Sequence, residues 1–167
     1  IKNSIELLKN LKSLHLPNND LRALPVSITK LRRLNNINLQ ENPVWKDFVW
    51  KNKGLKTVPS ILKHFTDLYT LDLSYNGIEN LPSFISRMSE LRGLILKNNS
   101  IYRTEFSKKI TVLSNLEKLD LNHNDVHTAL KWSDVDAQGA IHILRLLKSS
   151  MKRLDLSQGE FTLDSID

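Results

Sequence analysis

Leucine and isoleucine recur along the chain in a fixed frame. From Leu11 the residues read LKSLHLPNNDLRALPVSITKLRR, and from Leu68 they read LYTLDLSYNGIENLPSFISRMSE. Both segments are 23 residues long and share the pattern L-x-x-L-x-L-x-x-N-x-L/I-x-x-L-P-x-x-I-x-x-L/M-x-x. The frame restarts at Leu34, Leu91, Leu116 and Met151. Within L-x-x-L-x-L the last two apolar positions alternate with polar ones, which predicts a short strand with one buried face. The Asn that follows (Asn19, Asn42, Asn76, Asn99 and Asn124) falls where the chain must turn inward. A buried amide at that point pairs backbone groups of its own coil and of the adjacent one. Leu24, Ile28 and Leu31 then line a return segment, whose start is held extended by Pro25 and its equivalents Pro59 and Pro82. One such unit cannot bury its apolar face alone, and stacking provides the missing partner.

This frame resembles the leucine-rich repeat family. Its Leu-Pro-containing 23-residue units are similar to those of bacterial repeat proteins and of Ras-suppressor-type scaffolds. The resemblance covers nearly the whole chain. It implies an α/β solenoid, a right-handed superhelical arc with a parallel concave β-sheet of about six short strands. Residues 1–167 are then expected to form a single domain.

The period breaks in several places. The second repeat, counted from Leu34 to Asp67, has 34 residues, 11 above the norm. The frame resumes at Leu55, which matches Leu21, so the surplus falls on PVWKDFVWKNKG, Pro43 to Gly54. That stretch holds two of the three tryptophans and reads as an insertion at about 43–54, bulging from the rim. It has two readings: a staple folded back over the solenoid edge through Val44, Phe48, Val49 and one tryptophan, or a partner-binding knob anchored by Trp45 or Trp50. The fourth repeat is longer by two residues and replaces its Leu-Pro step with YRTEF.

The fifth repeat runs 35 residues, with an insertion at about 127–139. A helix is predicted there, capped by Ser133 or Asp134 and carrying Ala140, Ile143, Leu144 and Leu147 at helical spacing. This unit resembles the longer ribonuclease-inhibitor-like repeats. The sixth has Gly159 where Asn is expected. At the other end, Ile5 and Leu8 take the positions of Ile28 and Leu31, so residues 1–10 read as the tail of a coil.

Charge adds less than its total implies. The net charge is +6, which would suit nucleic acid, an anionic membrane or an acidic partner. The variable strand positions facing the expected concavity, however, carry six basic and five acidic residues. A phosphate-binding surface needs cations gathered without interleaved carboxylates, so nucleic acid and membrane are disfavoured. The middle of the sheet suits protein recognition better. The partner-binding candidates are Tyr69, Asp72, Tyr75, Arg92, Ile95, Lys97, Lys118, Asp120 and Arg153, with Trp45 and Trp50 of the insertion. Tyr and Arg are over-represented among interface anchors because they join wide contact to polar ends.

Catalytic chemistry is not signalled. With no cysteine there is no disulfide, thiolate zinc site or cysteine nucleophile in this segment. HNDVH at His123–His127 invites a metal reading, but Asn124 is a ladder residue and nothing brings the histidines to one point. DVDAQGAI from Asp134 starts like a calcium loop, yet Arg145 stands where a bidentate Glu is required. No nucleophile elbow, phosphate-cradling glycine loop or placed carboxylate pair occurs.

The expectation is a non-catalytic, monomeric protein-protein interaction module without cofactors, binding its partner on the concave face. The resemblance points to a scaffold or to a bacterial protein directed at a host, in the cytoplasm or delivered into a host cell, with any targeting signal trimmed from the segment. The alternatives are the recognition part of a larger enzyme, such as a bacterial ubiquitin ligase, an electrostatic nucleic-acid or membrane binder, and self-association through a terminal coil.

Overall fold

The structure is a computed structural model of the chain, and it describes residues 3–101, 106–124 and 137–147. Among the described residues six strands of three residues each carry the repeat frame: β1 (Ser13–His15), β2 (Asn36–Asn38), β3 (Asp47–Val49), β4 (Thr70–Asp72), β5 (Gly93–Ile95) and β6 (Lys118–Asp120). All pairings are parallel and in repeat register, so that Leu71 faces Leu94 and Leu94 faces Leu119. Alternation sends Phe48, Leu71, Leu94 and Leu119 into the core and leaves the residues on either side of them on the open face.

The return segments run as 3-10 turns at Val26–Lys30, Ser60–His64 and Ser83–Arg87. Each follows a proline (Pro25, Pro59, Pro82) with extended backbone, φ between −62° and −70°, as the ring dictates. Where the Leu-Pro step is missing, the return is instead a short helix, α1 (Phe106–Thr111). The fifth repeat returns through α2 (Ala137–Leu147), the helix its spacing predicts, which buries Ala140, Ile143 and Leu146. Leu8 departs from its equivalent. It keeps the turn geometry of Leu31, its N–H meeting Ile5 O at 3.0 Å, but its side chain is 53% exposed while Leu31 is buried.

The stretch at 43–54 is not a rim insertion. Asp47–Val49 is a strand of the sheet, paired through Phe48 with Leu71. Trp45, Phe48 and Trp50 stand 23 residues before Leu68, Leu71 and Leu73 and fill the same three core positions. Trp45–Asp67 is therefore a complete repeat with aromatic residues in place of leucine, and Leu34–Val44 is a half coil of 11 residues whose strand is followed only by the short 3-10 turn Pro43–Trp45.

This half coil interrupts the sheet. Twenty residues separate β1 from β2 and β3 from β4, whereas eight separate β2 from β3. A parallel crossover needs about a dozen residues or more. Accordingly β1 and β2 form one sheet, β3 to β6 form another, and among the described residues no ladder joins them. On the return side the first repeat and the aromatic repeat flank a cleft of about 350 Å³ between Thr29 and the segment Gly54 to Ile61. The aromatic side chains fill the core beside the missing return. Phe48 stacks edge-on to Trp50 at 4.8 Å and to Phe65 at 5.2 Å, and Trp45 lies 4.8 Å from Phe65.

The asparagine ladder follows the same division. Asn76 donates to Trp50 O in the preceding coil at 2.9 Å and to Leu73 O in its own at 2.8 Å, while its Oδ1 accepts from Lys53 N and Leu55 N. Asn42, Asn99 and Asn124 bridge neighbouring coils in the same way. In the aromatic repeat the ladder position is Lys53, which has no amide to reach the half coil. The ladder thus stops where the sheet stops.

Candidate functional site

The open face of β3 to β5 gathers an arrangement that the side-chain pattern of any one repeat does not show. Residues at equivalent positions of successive parallel strands lie side by side, about 4.8 Å apart along the sheet. At the strand entries this places Lys46, Tyr69 and Arg92 in a row. The Lys46 ammonium lies 4.3 Å from the Tyr69 ring centroid and the Arg92 guanidinium 5.4 Å from it. At the strand exits Lys51 and Lys97 lie 4.7 Å and 6.0 Å from the ring of Tyr75. Each tyrosine is thus attended by two cations, and each ring keeps substantial exposure, 39% for Tyr69 and 43% for Tyr75.

Between the two rows runs a mixed line in strand register: Val49, Asp72, Ile95 and Asp120. Val49 is exposed, and Ile95 is half-buried. The two carboxylates are committed locally. Asp72 Oδ1 accepts the N–H of Ser74 at 2.9 Å, and Asp120 Oδ1 accepts the N–H of Asn122 at 3.0 Å, closing the bend at the strand end. Lys118 lies beside Gly93 on the same face, and Glu117 makes a long 3.8 Å contact with Arg92.

Tyr75 has a further distinction. The second residue after the last core position of each strand adopts a left-handed conformation, at Asn18, Glu41, Asn52, Tyr75, Asn98 and His123. Asn is at home there because its short side chain bonds locally. A tyrosine at φ 56° is not. The turn of the repeat imposes this conformation whatever the residue, as Glu41 and His123 show.

Eight of the sequence-derived candidates, Tyr69, Asp72, Tyr75, Arg92, Ile95, Lys97, Lys118 and Asp120, stand on this one face. Arg153, the sixth repeat, the insertion at 127–139 apart from its last residues, and the Ser133 or Asp134 cap lie outside the described residues. Trp45 and Trp50 are corrected: they are 7% and 0% exposed and belong to the core, so neither is an anchor for a partner. Reading 43–54 as an insertion hides four members of the face: Asp47 and Val49 of β3, and Lys46 and Lys51 that flank it. The signal was available, because the spacing of Trp45, Phe48 and Trp50 repeats that of Leu68, Leu71 and Leu73.

Among the described residues no group of three or more His, Cys, Asp or Glu side chains is placed to hold a metal ion. His123 is described and His127 is not. Among the described residues no helix is long and apolar enough to cross a membrane.

Known proteins carry the same frame. The profile of the Leucine Rich Repeat family matches residues 67–88, the return, strand and turn around β4. The chain is a leucine-rich repeat protein.

Similar repeats occur in otherwise unlike proteins. The chain is 29% identical over 134 residues to an adenylate cyclase of Schizosaccharomyces pombe, covering 80% of the chain and 7% of the cyclase. It is 30% identical to the probable serine/threonine-protein kinase pats1 of Dictyostelium discoideum, covering 73% of the chain and 4% of that protein. Against the human volume-regulated anion channel subunit LRRC8A the figures are 33% identity, 60% of the chain and 11% of the subunit. Among solved structures, a leucine-rich repeat protein of Leptospira interrogans superposes with a TM-score of 0.43 at 26% identity, over 90% of the chain and 33% of its own. The chain therefore spans a small part of the relatives it matches. Leucine-rich repeats serve in general as protein-protein interaction modules.

Proposed function

We propose that this leucine-rich repeat is a non-catalytic binding module that holds a partner protein on the open face of β3 to β6. The observation that carries it is the pair of exposed tyrosines, Tyr69 and Tyr75, each set between two cations on adjacent strands. Tyrosine and arginine anchors of this kind concentrate binding energy at interfaces. A bacterial host-directed or scaffold role is the setting that its Leu-Pro repeats resemble.

The test is affinity capture with the wild-type chain and with a Tyr69→Ala/Tyr75→Ala/Arg92→Ala variant, followed by identification of the captured proteins. The reading requires a partner retained by the wild type and lost by a variant that still folds. A partner kept by both would move the site elsewhere.

A second reading is favoured by the small share of each relative that the chain covers, 7% of the cyclase and 4% of the kinase. In it the module is the recognition segment of a larger protein, an enzyme among the candidates. The size of the native polypeptide, measured by immunoblot with an antibody to this segment, distinguishes the two: a band near the 19.2 kDa of this chain removes the second reading.

A further inference from the structure

We infer that the partner segment is acidic, with carboxylates flanking a short apolar stretch, and that it lies on the face of β3, β4 and β5, running along the strands from their entries to their exits. The inference rests on the protein-binding reading above and concerns the chemistry of what is bound.

The first ground is the charge left available. Counted by residue type the face is near neutral, but its charges are not evenly placed. Asp72 and Asp120 stand on the middle line, each with one carboxylate oxygen held by a backbone N–H at the strand end. Glu117 is drawn toward Arg92. By contrast, among the described residues Lys46, Lys51, Lys97 and Lys118 have no carboxylate within ion-pair distance. Lys46, Lys51 and Lys97 instead lie over tyrosine rings, a contact that fixes a cation while leaving its hydrogen-bond donors open. A carboxylate arriving at either row meets a positioned ammonium and is steered there by charge.

The second ground is the order of chemistry across the face. A cation-tyrosine row stands at the strand entries and another at the strand exits, and the exposed Val49 and half-buried Ile95 lie between them. A segment matching this order is acidic, then apolar, then acidic. The same middle line carries Asp72 and Asp120, with Asp47 exposed two residues before Val49 on β3. Those carboxylates would oppose a continuous phosphate backbone, and a peptide can avoid them because it places its own charges at intervals. The face therefore favours a protein segment over nucleic acid or an anionic bilayer.

The test uses the chain as it stands, immobilised and panned against a random twelve-residue peptide display library, with recovered peptides synthesised and titrated by fluorescence anisotropy. Peptides with Asp or Glu on both sides of an apolar residue should be enriched. Their binding should weaken by about tenfold or more in a Lys51→Ala/Lys97→Ala variant and decline with added salt. Enriched peptides that lack acidic residues but lose binding in Tyr69→Ala/Tyr75→Ala would overturn the acidic inference and leave the face as the binding site. Peptides indifferent to both variants would overturn the inference and the site together. Oligo(dT) or phosphatidylserine vesicles bound more tightly than any selected peptide would also overturn it, as would recovery of no binding peptide.

Discussion

The indole Nε1 of Trp50 donates a buried 2.7 Å hydrogen bond to the carbonyl oxygen of Leu24, 26 positions earlier. The bond passes over the half coil and ties the aromatic repeat to the return segment of the first. It takes its place in a region where the sheet ladder and the asparagine ladder both stop. Trp45 differs, since its Nε1 is buried without a hydrogen-bond partner in the structure.

Trp50→Phe should therefore cost more than Trp45→Phe. The first removes ring volume and leaves a buried carbonyl unpaired, a loss of about 2–4 kcal/mol. The second removes volume but also an unsatisfied donor, for a net cost of about 1 kcal/mol. Urea denaturation of the two variants measures the difference, and the reverse ranking would discard the Trp50–Leu24 bond as a tie between coils.

Tyr75→Asn should leave stability unchanged within about 0.5 kcal/mol, because relief of the left-handed backbone offsets the lost cation contacts. Tyr69→Asn, at a position without left-handed backbone, has no such relief and should cost about 1 kcal/mol. Thermal midpoints of the pair decide this. Equal destabilisation would show that Tyr75 carries no strain.

Asn76→Ala should cost about 2–4 kcal/mol, since it orphans backbone groups of two coils at once. Asn19→Ala should cost less than about 1 kcal/mol, because that exposed amide bonds only Leu16 O and Pro17 O of its own coil. Native-state hydrogen exchange offers a second readout: protection should fall at Lys53 and Leu55 in the first variant, and unaltered protection there would refute the bridging role.

His64 predicts a pH dependence. Burial, and next the charge of Lys63, hold its imidazole below the ordinary histidine value of 6.5. The unfolded chain therefore binds a proton more readily than the folded one as pH falls through that value. Stability should decline as pH drops from about 6.5 toward the lower folded value, with no contribution from this group above 7. His64→Gln should flatten that part of the pH–stability profile, and an unchanged slope would assign it to other groups.

Much of the fold was legible in the sequence because it depends on local alternation and a fixed period. Leu71 and Leu73 signal a half-buried strand by themselves, Asn76 marks the bend, and Pro59 and Pro82 set the entry to each return. The helix over Ala137–Leu147 announces itself in the spacing of Ala140, Ile143 and Leu144. The sequence alone also placed Tyr69, Tyr75, Arg92 and Lys97 on one face, since all four occupy variable positions of the repeat frame around its strand.

Tertiary structure decided what depends on neighbours 23 residues apart. Trp45, Phe48 and Trp50 look like an exposed cluster until β3 pairs with β4 and closes them into the core. That pairing brings Lys46 and Lys51 beside the two tyrosines. Nor does composition show that Asp72 and Asp120 are each held by a backbone N–H, while among the described residues Lys46, Lys51 and Lys97 lie over tyrosine rings without a carboxylate partner. Period and alternation are properties of the chain, whereas cross-strand contact, burial and the availability of a charge arise only when coils stack.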